Sequence, residues 1–156
     1  MAKYDDSSWH YAGNYPKNLP NENAATHIGM FLTWCIDNDI MSEEQMEDSE
    51  EDLLLVKTRL LTGAEFLINN CDEKFTTDDL NEIGNLFATD YYGLPREKSA
   101  FSLEYGDYIK DYEELFLNPE SCNSFYEVEN TWDNYNLLRP ILNKRMEEWK
   151  VFKDRK

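Results

Sequence analysis

Basic residues are scarce in this sequence: 15 Lys and Arg stand against 32 Asp and Glu over 156 residues, a formal net charge of −17. A chain so short of cations is poorly equipped to neutralise phosphates or anionic headgroups, so neither nucleic acid nor a membrane surface is expected as its principal partner. Long apolar runs are missing too. The stretch Ile28 to Ile36 is interrupted by Thr33 and stopped by Asp37, well short of the ~20 residues a membrane span needs. The opening Met-Ala-Lys-Tyr-Asp-Asp lacks the apolar core of a secretory signal. Cysteine is limited to Cys35, Cys71 and Cys122, with no Cys-x-x-Cys pair and no histidine beside any of them. That pattern argues against a zinc or disulfide framework and points to three buried free thiols in a reducing cytoplasm. Glycine and proline number six and five, and they form no phosphate-cradling loop or nucleophile elbow. No cofactor and no catalytic residue is expected on these grounds.

Aromatic residues, in contrast, are plentiful: 4 Trp, 10 Tyr and 8 Phe within a 41% hydrophobic chain, too many for disorder and enough for one packed domain. Residues 1–23 read as an irregular segment, punctuated by Gly13, Pro16 and Pro20, yet their aromatics predict that it packs on the body. A short strand fits Trp9–Tyr11. Ile28, Phe31, Leu32, Cys35 and Ile36 form a helical stripe over about 24–38. Gly29 inside it signals the close approach of another backbone. Ser49 suits the N-cap of a following helix, and Thr62-Gly-Ala-Glu65 reads as a capping box. Thr77-Asp-Asp79 suits the opening of the helix through Leu80 to Tyr91, and Tyr105 to Phe116 carries a tyrosine-rich helical face. Pro140 predicts a break or kink in the last helix, and Phe125 to Val128 looks β-like. The expected architecture is a mainly α single domain over 1–156, with five or six helices and at most a minor β element.

Two groups of residues carry chemical interest. Between Asp37 and Asp52 lie nine acids and no base. Of these, Glu43, Glu44, Glu47, Asp48, Glu50, Glu51 and Asp52 form a candidate surface for a cationic partner, because clustered carboxylates accelerate such association. The alternative is a solvated loop and helix start. The second group is Asp5, Asp6, Trp9, His10, Tyr11 and His27, which mixes polar and aromatic side chains. It suits a small-ligand pocket, a two-His-one-carboxylate metal site, or a hydrogen-bonded staple between the N-terminal segment and the first helix. The spacing matches no compact metal motif, and no metal site is assigned.

Six stretches taken together also carry a likeness. Tyr4-Asp-Asp-Ser-Ser-Trp-His-Tyr-Ala-Gly-Asn-Tyr-Pro16, Ala25-Thr-His-Ile-Gly-Met-Phe-Leu-Thr-Trp34 and Leu61-Thr-Gly-Ala-Glu-Phe-Leu67 come first. Cys71-Asp-Glu-Lys-Phe75, Tyr108-Ile-Lys-Asp-Tyr112 and Thr131-Trp-Asp-Asn-Tyr135 follow. They resemble a family of small uncharacterised bacterial proteins, some of which look like cytoplasmic immunity proteins of polymorphic toxin systems. The resemblance implies a non-enzymatic protein that occludes a cognate toxin with a basic active-site face. Within these stretches Trp34, Phe66, Phe75 and Trp132 read most simply as core. The alternative is a metal- or small-ligand-binding, enzyme-like domain using His10, His27 and the N-terminal acids.

Overall fold

The computed structural model describes residues 2–95 and 97–155. The chain opens with strand β1 (Lys3–Asp6) and the short helix α1 (Ser7–Tyr11), then runs through a 3₁₀ turn into α2 (Thr26–Asp37). Helices α3 (Glu43–Asp48), α4 (Glu50–Lys57) and α5 (Gly63–Asn70) lead to strand β2 (Lys74–Thr76). Helices α6 (Glu82–Tyr91), α7 (Ala100–Tyr105), α8 (Tyr108–Phe116) and α9 (Trp132–Asp154) complete a mainly helical body. No helix among the described residues is long and apolar enough to cross a membrane.

Helix α2 is the axis. Every residue from Thr26 to Ile36 is buried, and each fully buried Ile, Leu or Phe contributes roughly 1.5–3 kcal/mol. As Gly29 suggested, another backbone comes close: a Cβ there would lie 2.2 Å from the Ala64 amide nitrogen. Across the crossing, a Cβ on Gly63 would lie 1.9 Å from the Gly29 carbonyl oxygen. Two glycines therefore let α2 and α5 touch main chain to main chain. Helix α5 starts on the expected capping box, with Thr62 and Glu65 satisfying each other's backbone amides.

The N-terminal segment is more ordered than its punctuation implied. Its strand is Lys3–Asp6 rather than Trp9–Tyr11, which lies in α1. Strand β1 pairs antiparallel with β2, Asp5 opposite Phe75, and its register slips between Lys3 and Asp5. Tyr4, Asp5 and Asp6 are consequently buried in succession, where a regular strand would alternate.

Several boundaries differ from the sequence pattern for local reasons. The acidic stretch contains a separate helix, α3, capped by Ser42, while Ser49 turns its hydroxyl back to Gln45 and makes no cap bond to α4. Thr76 and Asp79 form a capping box around a 3₁₀ turn at Thr77–Asp79, so α6 begins later, on Asn81. Gly106, at φ +120°, and the Asp107 cap split the tyrosine-rich segment into α7 and α8. Phe125–Glu127 is a 3₁₀ turn rather than extended. Helix α9 runs unbroken through Pro140. The proline is exposed, whereas Tyr135, Leu138, Leu142, Met146 and Trp149 stay buried along the opposite stripe. Their packing keeps the helix continuous against the proline's penalty of ~3 kcal/mol. Of the cysteines only Cys35 is fully buried; Cys71 and Cys122 are half-buried. Trp34, Phe66 and Phe75 are core. Trp132 is half-buried, its ring under the Arg59 guanidinium at 4.7 Å.

Candidate functional site

Three buried or partly buried aspartates tie the helices together, each bonded to a tyrosine hydroxyl. Asp37 takes a two-pronged bond from Arg59 and one from Tyr135. Asp111 is served in the same way by Arg145 and Tyr91. Asp5 is bonded to Tyr92, but its nitrogen partners are two imidazoles. That substitution of histidine for arginine sets this cluster apart, because a guanidinium keeps its proton while an imidazole can exchange one near neutrality.

The elements that assemble the cluster are short and strongly fixed. Asp6 caps α1 through Ser8, accepting from its amide at 2.9 Å and its hydroxyl at 2.7 Å, and Lys3 holds the other Asp6 oxygen. The capped helix carries His10 back over Asp5, with His10 Nε2 2.7 Å from Asp5 Oδ1. His27 comes from the first turn of α2, its Nε2 3.0 Å from Asp5 Oδ2. Its own carbonyl accepts from Tyr108 Oη at 2.5 Å. The two imidazoles meet edge to face at 4.7 Å between centroids, and Phe125 packs on His27 at 4.5 Å.

The protons follow from a count of acceptors. Burial on its own would raise the Asp5 carboxyl; the hydrogen bonds from His10 and His27 outweigh it and hold it well below the usual carboxylate range. Ionised, Asp5 only accepts, and its partners are the Asp6 amide, both histidine Nε2–H groups and Tyr92. Those four donors fill its acceptor sites. Burial pushes His27 below the ordinary imidazole value, against the opposing pull of Asp5, so this ring is neutral at pH 7. His10 Nδ1 lies 2.6 Å from Tyr126 Oη. In neutral His10 the Tyr126 hydroxyl donates to Nδ1, giving a continuous series Tyr126–His10–Asp5.

Above this series opens a cleft of about 470 Å³. Its apolar lining is Trp9, Leu94, Pro95, Ile109 and Phe125; its polar groups are Asp5, His10, Tyr92, Tyr126 and Glu113. Trp9 is 47% exposed beside it. A larger neighbouring hollow of about 690 Å³ shares Tyr92 and Glu113, but its Lys98, Lys110 and Glu114 side chains are exposed, and it contains neither histidine nor Asp5. The chemistry therefore sits in the smaller one.

Of the residues singled out in the sequence, Asp5, Trp9 and His10 line the cleft, and His27 stands directly behind Asp5. Asp6 is engaged in capping, and Tyr11 donates to Glu73 at 2.8 Å; neither lines the cleft. The acids are elsewhere. Glu43, Glu44, Glu47 and Asp48 lie on α3, and Glu50, Glu51 and Asp52 begin α4. All but Asp52 are exposed, and Asp52 accepts from Asn70. Residues 47–52 edge a separate concavity of about 440 Å³. Sequence reasoning missed Tyr92, Glu113, Phe125 and Tyr126. The one available signal was the surplus of phenols on helical faces, each needing a polar partner. Tyr92 and Tyr108 find theirs here, whereas the buried Tyr112 hydroxyl has none among the described residues.

Asp5, His10 and His27 each offer a ligand atom within 4.8 Å of the others, so the same atoms that form this network are also spaced to meet on one ion. No curated protein and no solved structure matches the chain. Residues 3–128, which contain both histidines, Asp5 and Tyr126, match the family described as "Domain of unknown function (DUF7832)", and the chain belongs to that family.

Proposed function

We propose that this protein binds a small molecule in the aromatic cleft, with Tyr126, His10 and Asp5 as its polar, proton-handling end. The carrying observation is the choice of base. Where Asp37 and Asp111 are matched by arginine, Asp5 is matched by two histidines, and one of them lines a cleft. A hydroxyl, an imidazole and an orienting carboxylate in series are suited to move a proton to or from a bound ligand. Burial, with the Asp5 charge and Tyr15, raises the Tyr126 hydroxyl above its ordinary value, which suits a hydrogen-bond donor better than a nucleophile. Apolar walls with a few convergent polar groups are the usual make-up of such sites.

A fragment screen read by protein NMR tests this reading. Hits are expected to shift the Trp9 indole and His10 ring signals, and to weaken in Trp9→Ala, an exposed position whose loss leaves the core intact. Hits that map only to other surfaces, or none at all, would remove the cleft from consideration.

A second reading keeps the acidic face as a partner site, as the resemblance to immunity proteins implies. Its support is that Glu43, Glu44, Glu47, Asp48, Glu50, Glu51 and Asp52 enter none of the ion pairs among the described residues. Their charge is left for a cationic surface, such as a toxin whose active site they would occlude. Co-purification with the product of an adjacent gene, weakened by salt and by reversing these charges, is the expected result. No complex at low salt would dismiss it.

A further inference from the structure

We infer that Asp5, His10 and His27 form a binding site for one divalent transition-metal ion of the zinc, cobalt or iron(II) kind, with its remaining positions open to the cleft. The inference rests on the reading of the cleft as a ligand site and names what would hold the ligand's polar end. Two imidazoles and one carboxylate are the donor set that such borderline ions prefer.

The three donors already face one point. The three ligand atoms already lie within 4.8 Å of one another, and an ion held at about 2.0–2.2 Å from each asks for separations of roughly 3–3.6 Å. His10 Nε2 and His27 Nε2 stand 2.7 Å from Asp5 Oδ1 and 3.0 Å from Asp5 Oδ2, so to admit an ion each imidazole draws back slightly from its oxygen while the widest separation in the set closes from within 4.8 Å. Each ring must present the Nε2 lone pair to the ion, which leaves its hydrogen on Nδ1. For His10 that hydrogen has a partner waiting. Tyr126 Oη, 2.6 Å from Nδ1, accepts from the shifted tautomer as readily as it donates to the present one. The Asp6 amide and the Tyr92 hydroxyl go on orienting the carboxylate. A metal-binding histidine whose second nitrogen is held, beside a carboxylate held by further donors, is the outer-shell pattern of functional metal sites.

The placement of the ligands points the same way. They come from β1, α1 and α2, three elements fixed independently of any ion by strand pairing, the Asp6 cap and the α2 core. Asp5 and His10 line the cleft, and His27 closes the site from the protein side at 1% exposure. Three protein ligands with one accessible face describe a site that keeps a position for a ligand, unlike the closed four-ligand structural kind.

The test is titration of the chelator-treated full chain with cobalt(II), followed by its visible ligand-field absorption. One cobalt per chain, displaced by zinc, is expected. His10→Ala should abolish the bands while circular dichroism stays native, and Tyr126→Phe should weaken binding about tenfold by freeing the ring. Absence of bands would overturn the inference, as would bands that His10→Ala leaves unchanged, the mark of cobalt held on surface carboxylates. Fragment hits at Trp9 in protein that binds no cobalt would overturn the metal and leave the cleft reading standing. Cobalt bands dependent on His10 with no fragment hits would uphold the metal and end the cleft reading.

Discussion

At the scale of single residues the molecule turns on Asp5. One buried carboxylate collects donors from its neighbour's backbone, two imidazoles and a phenol. An asparagine here keeps one acceptor oxygen but turns an amide N–H₂ toward the donors of the other, so one imidazole N–H comes to face a donor. Asp5→Asn should therefore destabilise the fold by about 1–3 kcal/mol, measured by urea unfolding, whereas Tyr126→Phe at the half-buried end should cost only about 1 kcal/mol. The pH response follows from the same contacts. The folded His27 value is lowered, so as pH falls below about 6.5 the unfolded chain takes up a proton that the folded ring refuses, and stability drops. The Asp5 contribution is present above its unfolded value and is lost as pH falls below about 4 toward the depressed folded one. Both act in one direction. In chelator-treated protein the unfolding midpoint should decline from pH 7 to 5.5, and a folded His27→Gln variant should flatten that interval. The sequence offered Asp5, His10 and His27 through their rarity and mixture of chemistry. It signalled that the phenols needed polar partners but not which, since Tyr92 and Tyr126 lie 87 and 116 residues from theirs and such a meeting is made by tertiary packing alone.

Among the elements, the tightest constraint is the crossing of α2 and α5 at two glycines. Nothing flexible faces Gly29; its neighbours are the backbone of the other helix. Gly29→Ala should cost at least about 3 kcal/mol by forcing the helices apart, seen as a large drop in melting temperature. This contact was readable in the sequence, since a glycine weakens a helix and leaves a gap in its apolar stripe unless a neighbouring backbone fills that gap. Pro140 was not. A proline in a helical pattern ordinarily marks a break, but here it faces solvent while the buried stripe passes beneath it. Pro140→Ala restores a helix amide and should raise stability by up to about 3 kcal/mol, less the chain entropy it returns to the unfolded state. A destabilised Pro140→Ala protein would mean that the proline's shape is itself required. The Gly106 break between α7 and α8 escaped notice because tyrosines continue on helical spacing across it; positive-φ backbone at that glycine carries no periodic signal.

Across the whole molecule, charge and cleft are separate features. The acids of α3 and α4 are exposed apart from Asp52, and the described basic residues that form ion pairs are engaged with other carboxylates. With a net charge of −17, self-repulsion opposes the compact state, and added salt screens it over about 8–10 Å. The melting temperature should therefore rise with sodium chloride, and reversing Glu43, Glu44 and Glu47 to lysine should raise it at low salt and shrink that salt effect. A fall with salt would mean that local ion pairs outweigh the global repulsion. The Asp5 cluster, shielded inside the fold, should respond little.

The position of the imidazole protons decides between a proton-handling series and a purely structural knot. Nitrogen-15 spectra of the two histidine rings in chelator-treated protein at neutral pH report this without any ligand. The prediction is that both rings carry hydrogen on Nε2, bonded to Asp5, with His10 Nδ1 accepting from Tyr126. Hydrogen on Nδ1 of both metal-free rings, or a His10 signal indifferent to Tyr126→Phe, would contradict it.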